Sequence, residues 1–196
     1  MADFSNPLDT FFVNFFSPFY SHPSIELFVT IIVNIIYFYG FYEAYFFIMK
    51  KDKKRLLQFA ATAAIGLLLV FSLKYYVERP RPYQAFDFTI LEAKGDPSFP
   101  SAHTFLAFLF YYFVNAIPKT RRRGLRAIFA THLLVLVPAG LMITGVHYFT
   151  DVLAGAILGF VLPKIFTENA AARIFKMLRM SSWQTPRTKA LQAASQ

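Results

Sequence analysis

No cysteine occurs in the 196 residues, which excludes disulfides and thiolate metal sites. Charge is scarce as well: Asp, Glu, Lys and Arg together make up 16%, too few to coat a soluble domain of this length. Acidic residues are the rarer sign, 11 against 20 basic, and the net charge is +9. The opening residues, Met1 to Asp9, carry no basic stretch, so no cleavable signal peptide is expected. The chain has no internal repeat. It also has no basic stripe interleaved with stacking aromatics on a polar surface, which argues against a nucleic-acid partner.

Apolar side chains fill the space that charge leaves. The hydrophobic set reaches 56%, with 25 phenylalanines, and that composition points to an integral membrane protein. The basic residues come in blocks. Lys50, Lys51, Lys53, Lys54 and Arg55 form one; Lys119, Arg121, Arg122, Arg123 and Arg126 a second; Arg173, Lys176, Arg179, Arg187 and Lys189 a third. Blocks of this kind between apolar runs follow the positive-inside rule.

Leu8, Phe11, Phe12, Phe15, Phe16 and Phe19 recur at helical spacing, with Asn6 as a cap and Pro7 suited to the first turn. The segment is short for a span, so residues 1–23 read as an interfacial amphipathic helix. Five apolar segments follow: Ser24–Ile48, Leu56–Tyr76, Ser101–Ile117, Leu125–Thr144 and Asp151–Phe166. The expected fold is an all-α polytopic membrane bundle of about five spans, with a membrane domain over 24–166 and a basic cytoplasmic tail over 167–196. Five spans put the three basic blocks on one side, the cytoplasm. The loops after spans two and four then face outward, as expected for a multi-pass protein of the cytoplasmic membrane.

Those two loops and their flanks carry the polar residues that lipid does not explain. Lys74 lies near the outer end of span two, and Arg81 follows in a rigid Pro-Arg-Pro. "PSFPSAHT", Pro97 to Thr104, opens span three; "GVHYFTD", Gly145 to Asp151, joins spans four and five. Singly each has a bland reading: a snorkelling Lys, a solvated Arg, Ser101 or Asp151 as helix caps. Together they suggest an oxyanion site. Lys74 and Arg81 supply positive charge. Ser101 and the first N–H groups of span three, Ala102 among them, form a helix-terminal anion site beside His103. Asp151, four residues after His147, is placed to accept from one ring nitrogen if the helix extends that far back. The other nitrogen is then free to attack phosphorus, and His103 to protonate the leaving oxygen.

This pattern resembles the type 2 phosphatidic acid phosphatase superfamily. Its first motif, Lys, six residues, Arg-Pro, is matched by Lys74, Arg81 and Pro82. Its second, Pro-Ser-Gly-His, is matched by Pro100, Ser101 and His103, with Ala102 in place of Gly. Its third is matched in its second half by His147 and Asp151; Gly140 and Leu141 stand where the family has Ser-Arg. The resemblance implies that His147 is the phosphorylated nucleophile, Asp151 its support and His103 the general acid. It also implies no metal and no cofactor, and a lipid phosphate as substrate. A lipid phosphotransferase, or a catalytically weak lipid-binding or transport protein on the same fold, are the alternatives that Leu141 keeps open.

Overall fold

The computed structural model describes residues 6–90, 93–115 and 121–166, except for the side chains of 121–123, 125 and 126. Every regular element among them is helical. Helix α1, Pro7–Phe16, begins as its sequence requires: the Asn6 side chain accepts from the Asp9 N–H at 2.8 Å, and proline opens the first turn. A single 3-10 turn, Ser17–Phe19, follows, and Pro23 opens α2, Pro23–Met49. Helix α3, Lys53–Val77, is capped by Asp52, which accepts from the Arg55 N–H at 3.1 Å. It ends where Glu78 turns left-handed at φ 50° and its N–H bonds the Lys74 carbonyl. The short α4, Pro82–Ala85, lies in the following loop. Then come α5, Ala102–Asn115; α6, Arg121–Ile143, which runs through Pro138; and α7, Phe149–Lys164.

The five expected apolar segments thus coincide with α2, α3, α5, α6 and α7 to within a few residues. The expected end of span three at Ile117 and the tail over 167–196 lie outside the described residues. The chain divides into two compact units, Met1–Pro163 and Lys164–Gln196, and only three residues of the second are described.

Helix α5 is the central element. Phe105, Leu106, Leu109, Phe110 and Phe113 bury several of its faces at once, packing with Ile36 and Phe47 of α2, Val70 of α3 and Val137 of α6. The opposite faces of the surrounding helices stay apolar yet exposed: Phe38 at 75%, Phe41 at 77%, Leu57 at 71% and Leu68 at 70%. A soluble protein rarely tolerates so extensive an apolar exterior, and a bilayer suits it. By length and hydropathy alone, two described segments are long and apolar enough to cross a membrane, Pro23–Met49 and Lys53–Ala85; Ala127–Ile143 is apolar but shorter.

One contact positions the site. On α7, a Cβ at Gly155 would fall 2.4 Å from the Ser101 carbonyl oxygen, and one at Gly159 would fall 2.3 Å from that of Phe105. Only glycine lets the two backbones approach this closely. The N-termini of α5 and α7 therefore lie side by side, and the Ser101 N–H donates to the Asp151 carbonyl at 3.0 Å.

Candidate active site

Two segments far apart in sequence meet at this junction. Tyr148 stands before the first residue of α7, and Asp151 is three positions on. The Asp151 carboxylate reaches back to the Tyr148 N–H at 2.9 Å, as the acidic member of a capping box does, and its charge suits the helix N-terminus. The same oxygen lies 3.3 Å from His147 Nδ1, a long hydrogen bond. Helix α7 does not extend back to His147; a turn, not helical i, i+4 spacing, makes the contact. Asp151 therefore caps α7 and lies within hydrogen-bond reach of a buried histidine.

His147 Nε2 is directed the other way, 3.4 Å from Arg81 NH1. It lines a cavity of about 360 Å³ together with Lys74, Arg81, Ala102 and His103. Burial pushes the His147 pKa down to about 4, reinforced by the Arg81 and Lys74 charges and opposed by Asp151. The ring is therefore neutral at neutral pH. His103, on the first turn of α5, shares a 2.9 Å hydrogen bond between Nε2 and the Tyr37 hydroxyl of α2. That bond fixes the ring plane at the cavity wall.

The cations are held as firmly. Lys74 is buried in the last turn of α3 and donates to the Pro97 carbonyl. Arg81 donates through Nε to the Asp96 carbonyl at 2.9 Å and through NH1 to the Val146 carbonyl at 2.9 Å. Both also bind one carboxylate. Asp96 takes Lys74 Nζ at 2.9 Å and Arg81 NH2 at 2.8 Å. Burial works against the Asp96 charge, but hydrogen bonds and attraction from Lys74 and Arg81 outweigh it and hold the carboxyl below its ordinary range. One carboxylate thus bridges the two cations.

Ala102, at the start of α5, lines the cavity. Ser101 does not: it is fully buried, and its hydroxyl accepts from the Thr104 N–H at 3.3 Å and from the Thr104 hydroxyl at 3.0 Å, which is the capping role. Leu141 belongs at once to the hydrophobic core and to the cavity wall, so the position of the family's third-motif Arg is apolar here. At Gly140, a Cβ would approach Val29 Cγ1 to 2.9 Å, so serine would be crowded there too.

Arg79 does not replace the missing cation at the cavity. It lies beneath the site, donating to Asp151 Oδ1 at 2.7 Å and to Asp9 Oδ2 at 2.6 Å, with its guanidinium 3.8 Å over the Tyr148 ring. Sequence reasoning missed three partners: Asp96, Tyr37 and Asp9. A signal existed for Asp96, an acidic residue four positions before Pro100 in the polar loop between α3 and α5. None existed for Tyr37 or Asp9, which sit among many aromatics and in an amphipathic helix.

His103, His147, the cations Lys74, Arg81 and Lys94, and the acidic Glu26 and Asp96 thus line one cavity in an all-helical, lipid-compatible membrane protein. The chain belongs to the PAP2 superfamily, whose family model matches residues 55–174. Phosphatidylglycerophosphatase B of Bacillus subtilis (strain 168) is 35% identical over 120 residues, covering 53% of this chain and 57% of that protein. The chain thus spans little more than half the length of this curated relative. The crystal structure of Aquifex aeolicus LpxE superposes with a TM-score of 0.67 at 23% identity, covering 85% of this chain and 98% of that one. The crystal structure of the first transmembrane PAP2 type phosphatidylglycerolphosphate phosphatase from Bacillus subtilis gives a TM-score of 0.66 at 23% identity, covering 87% of this chain and 90% of that one. At that identity these two establish the fold.

Proposed function

We propose that this chain hydrolyses a lipid phosphate or diphosphate at the outer face of the cytoplasmic membrane, through a phosphohistidine on His147. The observation that carries the reading is one cavity lined both by His147, His103, Lys74 and Arg81 and by the apolar Val29, Val33 and Phe71. The cationic part suits a phosphate and the apolar part the adjoining lipid. In the first step His147 Nε2 attacks phosphorus, the phosphorus–oxygen bond to the lipid breaks, and His103 gives a proton to the leaving oxygen. Asp151 stabilises the imidazolium character that develops. In the second step water attacks the phosphohistidine, giving its proton to His103, and the phosphorus–nitrogen bond breaks to release phosphate. Lys74, Arg81 and the N–H of Ala102 bind the equatorial oxygens throughout.

In this reading α2, α3, α5, α6 and α7 are the five spans, and the loops bearing Arg81 and His147 are extracytoplasmic. Candidate substrates are phosphatidylglycerophosphate, phosphatidic acid, undecaprenyl diphosphate and lipid A phosphates; the name of the Bacillus relative favours the first. A second reading, transfer of the phosphoryl or phospho-alcohol group to another lipid, is favoured by Leu141, which keeps one cavity wall apolar. Purified protein assayed against a panel of these lipids, with free phosphate and new lipid products both followed, decides. Free phosphate supports hydrolysis. A new lipid product without it supports transfer. Neither, with any of the lipids, refutes both.

A further inference from the structure

The strongest feature that the phosphatase reading leaves unused lies under the cavity. Asp9 is fully buried, although it belongs to a helix whose other face leaves Phe11 59% and Phe15 61% exposed. A buried carboxylate needs partners, and Asp9 has three bonds. Oδ1 accepts from the Thr150 N–H at 2.9 Å, one of the free N–H groups at the start of α7. Oδ2 accepts from the Thr150 hydroxyl at 2.7 Å and from Arg79 at 2.6 Å. Arg79 passes the connection on, donating through NH1 to Asp151 Oδ1 at 2.7 Å and to the Thr150 hydroxyl at 2.7 Å. One turn along α1, Phe12 stacks on Phe149 with ring centroids 4.6 Å apart. Three consecutive residues at the start of α7, Phe149, Thr150 and Asp151, are thereby bound directly by α1 or through its Arg79 partner.

We propose that Asp9 and Arg79 are positioning residues of the reaction: they hold the Asp151 carboxylate, and through it the ring of His147, so that α1 is part of the active site. This rests on the phosphatase reading above. Asp151 has two oxygens and two tasks. Oδ2 faces Tyr148 N–H and His147 Nδ1, and Oδ1 faces Arg79. With Arg79 in place, the carboxylate cannot rotate without giving up a charge-assisted bond. Asp9 in turn keeps Arg79 from following Asp151. Neither Asp9 nor Arg79 lines the cavity, so neither touches the phosphate.

The test uses full-length protein in nanodiscs, with Asp9→Asn, Arg79→Gln, Arg79→Lys and the double variant Asp9→Asn/Arg79→Gln. Asparagine keeps the shape of Asp9 and its acceptor for the Thr150 N–H. Asp9→Asn and Arg79→Gln are each expected to lower kcat roughly ten- to a hundredfold, the scale of a misplaced reacting group. KM and orthovanadate inhibition should stay within about threefold, because the anion site is untouched. The double variant should be no worse than the more impaired single one, as for residues that act as a unit. Arg79→Lys, which keeps the charge, should recover part of kcat. If Arg79→Gln does not accumulate as a monodisperse protein, Asp9→Asn and Arg79→Lys carry the test. An Asp9→Asn kcat within about threefold of wild type overturns the inference, as does vanadate inhibition that weakens in step with kcat in the Arg79 variants. A wild-type protein that releases no phosphate from any lipid refutes the functional reading instead. The inference is then read from the ring 15N shifts of His147: loss of the Nδ1–H tautomer in Asp9→Asn supports it, and an unchanged ring overturns it.

Discussion

Asp96→Asn should make the site bind oxyanions more tightly. In the free protein Asp96 occupies both cations, at 2.9 Å from Lys74 Nζ and 2.8 Å from Arg81 NH2. A phosphate oxygen has to displace it from each. Charge-assisted hydrogen bonds contribute about 1.5–3 kcal/mol each when shielded from water. The Asp96 side chain is 32% exposed, so screening brings the figure for each bond down to about 0.5–1 kcal/mol. Asparagine keeps one neutral acceptor and loses the charge. The competing free energy therefore falls by about 1–2 kcal/mol, which is roughly five- to thirtyfold in affinity. The assay is inhibition by orthovanadate and by inorganic phosphate, with kcat and KM measured on the same preparations. The expected result is a lower inhibition constant and a lower KM by similar factors, with kcat little changed. The effect should fade in acid. The Asp96 carboxyl titrates below its ordinary range, and only under that pH does wild-type Asp96 take up a proton and release the cations. Unchanged or weaker vanadate inhibition in Asp96→Asn would refute the reasoning and show that Asp96 organises Lys74 and Arg81 instead of competing for them.

His147→Ala is expected to abolish turnover while lipid affinity stays within about tenfold, measured by phosphate release and by binding to labelled lipid; near-normal activity would remove His147 as nucleophile. Because His147 is pushed down to about 4, the acid limb of kcat/KM and the ring 15N titration should fall near pH 4, and a midpoint near the ordinary 6.5 would contradict the buried neutral ring. By the same sign, the unfolded chain takes up this proton first as pH falls from 6.5 towards 4, so the group's stability contribution is complete above that window and is lost across it; thermal unfolding at several pH values reads this. Leu141→Arg is expected to lower the yield of folded protein without a gain in rate, since Leu141 is 4% exposed within the core and the new charge would join Lys74 and Arg81. A tenfold rise in phosphate release would show that the cavity was short of a cation. An impermeant thiol reagent should label Ala93→Cys in intact cells and leave Asp52→Cys unlabelled, and the reverse pattern would invert the proposed topology.

The sequence by itself determined the helices, because their causes are local. Apolar runs set α2 and α3, Asn6 and Pro7 start α1, and Asp52 starts α3. It also singled out the candidates for the chemistry, because Lys74, Arg81, His103, His147 and Asp151 are ionisable groups at the edges of lipid-compatible segments, where such groups are costly without a use. Tertiary structure alone decided what those residues bind. Gly155 and Gly159 have no local meaning until α5 lies against them and draws Ser101 to Asp151. Arg79 and Arg81 are two positions apart and look interchangeable in sequence. The extended backbone at Arg81, φ −78° and ψ 157°, lies between two prolines, and a polyproline-like path turns successive side chains by about 120°. One arginine therefore lines the cavity and the other lies beneath it. Tyr37 and Asp9 were the least legible, because a polar side chain chooses its partner by distance in space. Asp9 finds Thr150 across 141 residues, and no pattern along the chain encodes a contact made only when both ends of the bundle have folded together.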